Sequence, residues 1–408
     1  MQSDRLFTGI SQLATPGGVG ALRGAEMRDL QITTDAVMAV SQGQIDWVGP
    51  RAKWSGNAKE KIDLGGRAVV PGLVDPHTHA IWAGDRLGDF EARTSGVSYE
   101  RILATGGGIR STIHQTASKT NDELVALARP RVQALLLSGA TTIEVKTGYG
   151  FDPDVELRLL DAIHQLDQVT PATIVATLLV HVPPVNPAER GAYLDHFCGE
   201  VLVAAKQLSF VNAVDVFIEK EAWAPAEARR LFEAAAKQGI AARAHVDQFH
   251  AIGGVEMATK FGARSVDHLE ASGPAQIAAI AASRTVAVLL PGVTLHLGIP
   301  AAPGRALIDA GAAVAIGTDL NPGSSPLFST QLALALAVRL NGLTPAEALS
   351  AATVNAADVL GFADRGRLQP TQRADFLVLD APDWRGIVYP MGGSPVARIF
   401  VAGQEVTA

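Results

Sequence analysis

Cysteine is nearly absent from this 408-residue sequence, which contains one such residue, Cys198. A single thiol cannot form an intramolecular disulfide, so the fold does not depend on an oxidising compartment. Charged residues are also sparse at 18%, whereas 48% of the residues are hydrophobic. This balance excludes an intrinsically disordered chain and predicts a globular protein with a large apolar core.

The sequence also lacks a basic tract. It has 34 Lys and Arg against 41 Asp and Glu, a net charge of -7, so we expect no nucleic-acid partner. It begins Met-Gln-Ser-Asp-Arg, without the apolar run of a secretory signal. No apolar stretch reaches the roughly 18 residues that a membrane helix needs. We therefore predict a cytoplasmic protein that binds neither nucleic acid nor membrane.

From Val69 onward, short apolar segments alternate with longer segments of helical period. Several helical segments begin with a cap or turn residue, and Pro225 and Pro274 suit a first helical turn. Eight strands alternating with helices predict an α/β fold, a parallel (β/α)8 TIM-like barrel. An open doubly wound sheet is the alternative, but no G-x-G-x-x-G motif follows a strand. The predicted strands are 68–74, 141–146, 173–180, 213–219, 240–245, 265–269, 285–290 and 312–318, and the clearest helices are 122–137, 153–166, 225–238 and 274–283.

The two ends of the chain have a different pattern. Residues 36–40 and 43–49 alternate in polarity on either side of a turn, which is typical of a β-hairpin. The C-terminal end contains similar short segments. We predict that residues 1–66 and 363–408 together form one small β-sandwich-like domain and that residues 67–362 form the barrel.

Histidines lie at the carboxyl ends of several predicted strands, where the active sites of parallel barrels are found. His77 and His79 belong to Asp-Pro-His-Thr-His, and strand alternation directs both to one face. His245 ends the fifth predicted strand and Asp319 follows the eighth. Three imidazoles and a carboxylate suit Zn²⁺ or Fe better than Mg²⁺ or Ca²⁺. The sequence predicts one Zn²⁺ or Fe ion per chain, bound by these four residues.

Two more histidines lie at the same end of the predicted barrel. His268 closes the sixth strand and His181 follows the third. Imidazoles at these positions are suited to polarise a substrate or to transfer a proton, although either could be a structural histidine. We assign no role to the histidines that fall in helices or loops, which are His114, His164, His196, His250 and His296.

Several longer motifs surround these residues. The segments are HTHAIWAGDR at 77–86, GGGIRST at 106–112, EVKTGYG at 144–150, HVDQF at 245–249, DHLE at 267–270 and TDLNPGSS at 318–325. The H-x-H pair and the late aspartate occur in many amidohydrolases, whereas the GGGI, KTGYG and TDxNPGSS segments are more particular. Together they resemble the imidazolonepropionase family of the amidohydrolase superfamily across nearly the whole chain.

The resemblance implies a hydrolase that opens the cyclic amide of 4-imidazolone-5-propanoate to N-formimidoyl-L-glutamate in histidine degradation. It implies that Arg86 binds the propionate of this small anionic substrate, for which a planar guanidinium is well suited. Asp319 would take a proton from the attacking water, and His268 and His181 are both candidates to stabilise the oxyanion. The remaining implied substrate contacts are Tyr149, His181, Gln248, Asn321, Gly323 and Ser324.

Three positions depart from the family pattern. The segment after His181 lacks an expected acidic residue in Val182–Asn186, an arginine is missing after Thr116, and Trp82 replaces a more usual phenylalanine. Hydrolysis or deamination of another ring therefore stays an alternative, as does a non-catalytic barrel. A carboxylated Lys146 bridging two metals is a further alternative to the single ion. We also expect a homodimer.

Overall fold

Both ends of the chain contribute to one sheet in the structure, a computed structural model that describes residues 2–97 and 107–407. The seven strands of this sheet are β1 Gln2–Pro16, β2 Leu30–Ser41, β3 Gln44–Pro50, β4 Asn57–Pro71, β13 Phe376–Leu379, β14 Val396–Val401 and β15 Gln404–Glu405. Their order is β15-β14-β13-β4-β1-β2-β3, and all pairs are antiparallel except β1 with β4. The predicted hairpin of residues 36–40 and 43–49 is confirmed within β2 and β3.

The core of this terminal sheet is built from residues that alternate along its strands. The aromatic ring of Phe7 in β1 packs edge-on against Phe376 and Phe400, with ring centroids 4.9 and 5.1 Å away. Phe376 and Phe400 stack on each other at 4.4 Å. Aromatic pairs of this geometry stabilise a sheet beyond the area that they bury, so both termini are held in one apolar layer.

The second sheet is the barrel. Its strands are β5 Leu73–Asp75, β6 Ala140–Lys146, β7 Thr173–Val180, β8 Val211–Ile218, β9 Ala241–Val246, β10 Ser265–His268, β11 Val286–Leu289 and β12 Val314–Ile316. All eight are parallel and neighbour one another in chain order, which confirms the predicted TIM-like barrel. Just past β5 and β12, the His79 N–H donates to Leu320 O and the Asp319 N–H donates to His77 O, both at 2.9 Å. The barrel therefore closes through the segments that carry the predicted metal ligands.

Helices connect the barrel strands and begin where local capping favours them. Thr120 and Glu123 form a reciprocal capping box, and the Asp152 side chain accepts from the Asp154 N–H. The four predicted helices are confirmed, and no described helix combines the length and apolarity that crossing a bilayer requires. The helices are α1 Leu87–Thr94, α2 Ile109–Ala117, α3 Asn121–Leu137, α4 Pro153–Gln168, α5 Arg190–His196, α6 Leu202–Gln207, α7 Pro225–Gln238, α8 Gly254–Lys260, α9 Pro274–Ala281, α10 Pro291–Leu297, α11 Gly304–Asp309, α12 Thr330–Leu340, α13 Pro345–Ala351 and α14 Val354–Val359, with 3-10 turns at Gly24–Arg28, Arg51–Lys53, Pro187–Glu189 and Trp384–Ile387 and a π-turn at Phe197–Val201.

The predicted first barrel strand, 68–74, is wrong at its start. Residues 68–71 belong to β4, and residues 69–71 pair with β13 of the terminal sheet, whereas the barrel strand β5 begins at Leu73. Gly72 lies between the two strands. A side chain does not fit at this position, because its Cβ would lie 2.3 Å from Thr141 Oγ1. Both sheets bury this apolar run, so its hydrophobicity does not reveal the change of sheet.

Candidate active site

The four predicted metal ligands lie together and buried at the carboxyl end of the barrel. The Nε2 atoms of His77 and His79 are each 3.3 Å from Oδ1 of Asp319. Nε2 of His245 lies 3.3 Å from Nε2 of His79. One ligand atom from each of the three histidines falls within 4.8 Å of the others. The fold therefore brings three imidazoles and one carboxylate to a common point.

The chemistry of this donor set fits a divalent metal ion. Nε2 of His77 and Oδ1 of Asp319 are buried and have no hydrogen-bond partner among the described residues. Buried polar atoms are normally paired, so atoms of this kind point to a ligand. Burial lowers the pKa of His79, and it lowers the pKa of His245 to about 4. Both rings are thus neutral near pH 7, the form that binds a metal.

Carboxylates orient two of the imidazoles from behind. Asp267 Oδ2 lies 2.6 Å from Nδ1 of His77, and Asp215 Oδ1 lies 3.1 Å from Nδ1 of His245. An Nδ1–H that donates to a carboxylate leaves Nε2 with its lone pair free for a metal and makes the ring more basic. The tautomers therefore suit Nε2 coordination.

Beneath the donor set lies a charged layer, which we define as Glu144, Lys146, Asp215, Arg243 and Asp267. Arg243 donates to Glu144 Oε1 at 2.9 Å and to Asp267 Oδ2 at 2.8 Å. Lys146 Nζ donates to Glu144 Oε1 at 2.7 Å and to Asp215 Oδ2 at 2.8 Å. Two cations and three carboxylates leave one negative charge, and the aspartate of the donor set adds a second. A divalent cation would balance the two.

Sequence reasoning missed most of this layer. Arg243 and Glu144 each stand two residues from another charged or ligating residue on a barrel strand, and their side chains are fully buried. Charged residues inside predicted barrel strands could have indicated this layer, because charged side chains are rarely fully buried unless they are paired. Lys146, the alternative bridging ligand, already has its Nζ in three ion pairs, with Glu144, Asp215 and Asp267. This arrangement favours an ammonium group over a carboxylated one.

His268 and His181 flank the donor set with different electrostatic environments. Burial alone would lower the pKa of His268, but the nearby carboxylates of Glu270 and Asp319 outweigh it and raise that pKa. Burial, with the neighbouring imidazoles, lowers the pKa of His181 well below its usual value. The His181 ring stacks on His79 with centroids 5.6 Å apart. His268 therefore carries a positive charge more readily than His181 does.

Arg86 and Tyr149 lie at the same mouth. Arg86 is mostly buried and pairs through Nε with Asp89. The buried ring of Tyr149 has its centroid 5.9 Å from that of His79, and burial raises its pKa above the usual value. Gln248 is buried on the loop after β9. Tyr149 therefore lies beside the donor set and Gln248 follows the strand that carries His245, while the contacts of these residues and of Arg86 with substrate stay a prediction.

The 321–324 loop is bonded mainly to itself and to the donor set. Asn321 Nδ2 donates to Asp319 Oδ2 at 3.0 Å and to Ser324 Oγ at 2.9 Å. Its Oδ1 accepts from the N–H groups of Gly323 and Ser324, both at 2.8 Å. These bonds fix one oxygen of Asp319 while the other faces the imidazoles. The predicted contacts of this loop with substrate stay a prediction.

The turn that carries Tyr149 is held by a residue that sequence reasoning missed. The buried carboxylate of Glu156 accepts from the N–H groups of Gly148 and Gly150 at 2.7 Å and of Phe151 at 2.8 Å. Gly148 has a φ of 106°, which a side chain would strain. The only feature of the sequence that indicated this contact was a glutamate in the first turn of the following helix, α4.

Trp82 and Gly108, from two of the sequence motifs, have contacts that the structure describes. The Arg131 guanidinium stacks 3.3 Å over the Trp82 ring, so the departure from phenylalanine enlarges a stacking surface. The N–H of Gly108, from the GGGIRST segment, donates to Asp89 Oδ2 at 2.9 Å. Gly106 of that segment lies outside the described residues. The segment therefore positions the partner of Arg86.

The Amidohydrolase family model matches residues 68–406. The chain is 61% identical over 404 residues to an imidazolonepropionase of Deinococcus radiodurans, which covers 99% of this chain and 100% of that protein. It is 44% identical to an imidazolonepropionase of Chloroflexus aggregans, over 99% of this chain and 98% of the relative.

Solved structures share the fold at low sequence identity. An adenosine deaminase from Xanthomonas campestris with bound zinc superposes with a TM-score of 0.72 at 19% identity, covering 99% of this chain and 93% of that one. A triazine hydrolase variant gives a TM-score of 0.74 at 19% identity, covering 98% and 94%. The chain belongs to the amidohydrolase family and, within it, to the imidazolonepropionases.

Proposed function

We propose that the chain hydrolyses the cyclic amide of 4-imidazolone-5-propanoate to N-formimidoyl-L-glutamate. One observation carries this proposal: a donor set of three imidazoles and a carboxylate is bonded to the 321–324 loop, and that loop also approaches the guanidinium of Arg86. Such a site suits a small ring that carries a carboxylate. Identity of 61% to an imidazolonepropionase over 99% of the chain supports this substrate.

We propose one metal ion, Zn²⁺ or Fe, held by His77, His79, His245 and Asp319. When bound, such an ion acts as a Lewis acid and lowers the pKa of water toward neutrality. The ion pairs of Lys146 support a single ion over a bridged pair.

Arg86 binds the propionate group in this proposal. Its Nε is paired with Asp89, and within the described part of the chain its terminal nitrogens are left for a carboxylate. A Cβ on Gly323 would lie 3.3 Å from Nη1 of Arg86, so glycine lets the 321–324 loop approach the guanidinium. Tyr149, His181 and Gln248 contact the ring.

Asp319 accepts a proton from the attacking water while Asn321 fixes its second oxygen. The water oxygen bonds to the ring carbonyl carbon, the C–N bond breaks, and the proton passes to the leaving nitrogen. His268 stabilises the developing oxyanion, a role favoured by its raised pKa. His181, whose pKa is lowered, acts as a neutral hydrogen-bonding group.

Hydrolysis is tested by following the loss of imidazolone absorbance with freshly generated substrate and metal-loaded protein. We expect turnover that depends on Arg86. An otherwise identical ring without the propionate is the matched substrate control, and equal kcat/KM for both rings would contradict this substrate assignment. Binding without turnover would favour a non-catalytic barrel.

Three broader predictions stand beside this function. We propose a homodimer, a cytoplasmic location, and a division into residues 1–66 with 363–408 and residues 67–362, although the end of β4, up to Pro71, pairs with the terminal sheet. Light scattering of the purified chain tests the first, fractionation of cells the second, and limited proteolysis the third.

A further inference from the structure

Glu270 is a buried carboxylate with an unusual environment. Its side chain is 3% exposed, and neither of its oxygens has a hydrogen-bond partner among the described residues. Nδ1 of His268, 3.5 Å from Oε2, is its nearest basic group in the ion-pair geometry, and that nitrogen has no hydrogen-bond partner in the same part of the chain. Burying a carboxylate is costly unless a charge or donor compensates it. His268 is therefore the group that can compensate the buried carboxylate of Glu270.

The backbone that carries the two residues is strained. His268 and Leu269 have φ values of 85° and 75°, so two successive residues with side chains lie in the left-handed region. The turn is tied to β9 by the Leu269 N–H, which donates to Val246 O at 3.2 Å. Strain of this kind persists where the surrounding structure requires it, often at functional sites.

The His268 ring lies beside the donor set. Its centroid lies 5.4 Å from that of His245 and 5.8 Å from that of His77. One imidazole nitrogen can be directed to the reaction while the other faces a carboxylate. Since Nδ1 faces Glu270, Nε2 is the nitrogen available to the reaction.

We propose that Glu270 is a positioning residue, whose carboxylate accepts the Nδ1–H of His268 and so fixes the tautomer and the orientation of that ring. The proposal rests on the proposed function, because the reaction is where the ring orientation has its effect. Glu270 itself touches neither substrate nor metal ligand in this role.

The kinetic test compares Glu270→Ala and Glu270→Gln with the wild type. Positioned acid–base groups contribute about 10²–10⁴-fold, so we expect Glu270→Ala to lose roughly 10–100-fold in kcat with KM and metal content unchanged. The Gln side chain still offers an acceptor, and we expect a loss of about threefold to tenfold. Glu256→Gln, an exposed change on α8, is the control that should leave kcat unchanged.

A second comparison separates positioning from a merely structural role. Adding Glu270→Ala to a His268→Ala enzyme should lower kcat no further, because the carboxylate acts through the ring. A further loss of kcat in the double variant, or a loss explained by missing metal, would overturn the proposal. A Glu270→Ala enzyme within twofold of the wild-type kcat would overturn it too. If Glu270→Ala fails to fold, an unchanged kcat in Glu270→Gln has the same meaning.

A crystal structure of a Glu270 variant is independent of the substrate. We expect the His268 ring in it to leave its wild-type orientation, and an unchanged ring would refute positioning. If the wild-type enzyme fails to hydrolyse the imidazolone, the proposed function is wrong. The orientation of the His268 ring in the variant then decides by itself whether Glu270 is a positioning residue.

Discussion

Replacing Arg243 with methionine removes the central cation of the charged layer while keeping a side chain of similar length. Arg243 is fully buried and donates to Glu144, Asp267, Ser265 and the Pro76 carbonyl. In the variant, two carboxylates lose this partner, and Lys146 is left as the only cation of the layer.

The expected magnitude follows from these bonds. Removing one partner of a buried ion pair costs about 3–5 kcal/mol, which for an unfolding entropy of about 2.1 cal/mol/K per residue over a chain of this length corresponds to a fall in melting temperature of roughly 4–6 °C. Asp267 also orients His77, and loss of such support weakens metal binding by about 10–100-fold. Both the stability of the fold and the metal affinity should therefore decrease.

Thermal unfolding and chelator competition measure the two effects separately. Arg367→Met is the matched control, because Arg367 is a buried arginine that donates to the backbone carbonyls of Gly17 and Gly20. It should lower the melting temperature and leave metal affinity unchanged. A metal affinity in Arg243→Met within twofold of the wild type would refute the argument that the charged layer orients the ligands.

Three further changes have defined outcomes. Arg86→Ala should raise KM about 10–100-fold, since hydrogen bonds to charged groups contribute about 1.5–3 kcal/mol, and unchanged kinetics would rule out the carboxylate anchor. Asp319→Ala should abolish turnover, and activity within tenfold of the wild type would remove its proton-transfer role. Burial alone would raise the pKa of Glu347, but hydrogen bonds from Arg305 and Thr344 lower it from 4.5 to about 2. The ionised Glu347 carboxylate therefore stabilises the fold fully above pH 4.5, and this contribution is lost as the pH falls toward 2. In urea unfolding, the difference in stability between the wild type and Glu347→Gln should shrink from pH 6 to pH 3. A constant difference would contradict this linkage.

The barrel could be predicted from sequence because eight apolar strands alternate with amphipathic helices. The first strand could not be delimited, since residues 68–71 and 73–75 are equally apolar although they belong to different sheets. Local composition does not record which sheet buries a residue. The close approach of Gly72 to Thr141, which separates the two strands, depends on a contact 69 positions apart.

The donor set could be predicted because strand ends and spacing direct His77 and His79 to one face. The partners of these ligands could not, since Asp215, Arg243 and Asp267 meet only through the register of neighbouring strands. The loop at Asn321 shows the same limit. Its sequence indicates polar contacts, whereas its bonds to Asp319 depend on a tertiary turn.

Turnover and metal content measured on one preparation decide between a single-metal imidazolone hydrolase and its alternatives. Purified, metal-loaded protein should consume the imidazolone ring chromophore, form N-formimidoyl-L-glutamate, and contain one Zn²⁺ or Fe ion per chain. Protein that holds its metal and binds the imidazolone but leaves the ring intact would contradict the account, and two ions per chain would contradict the single-metal site.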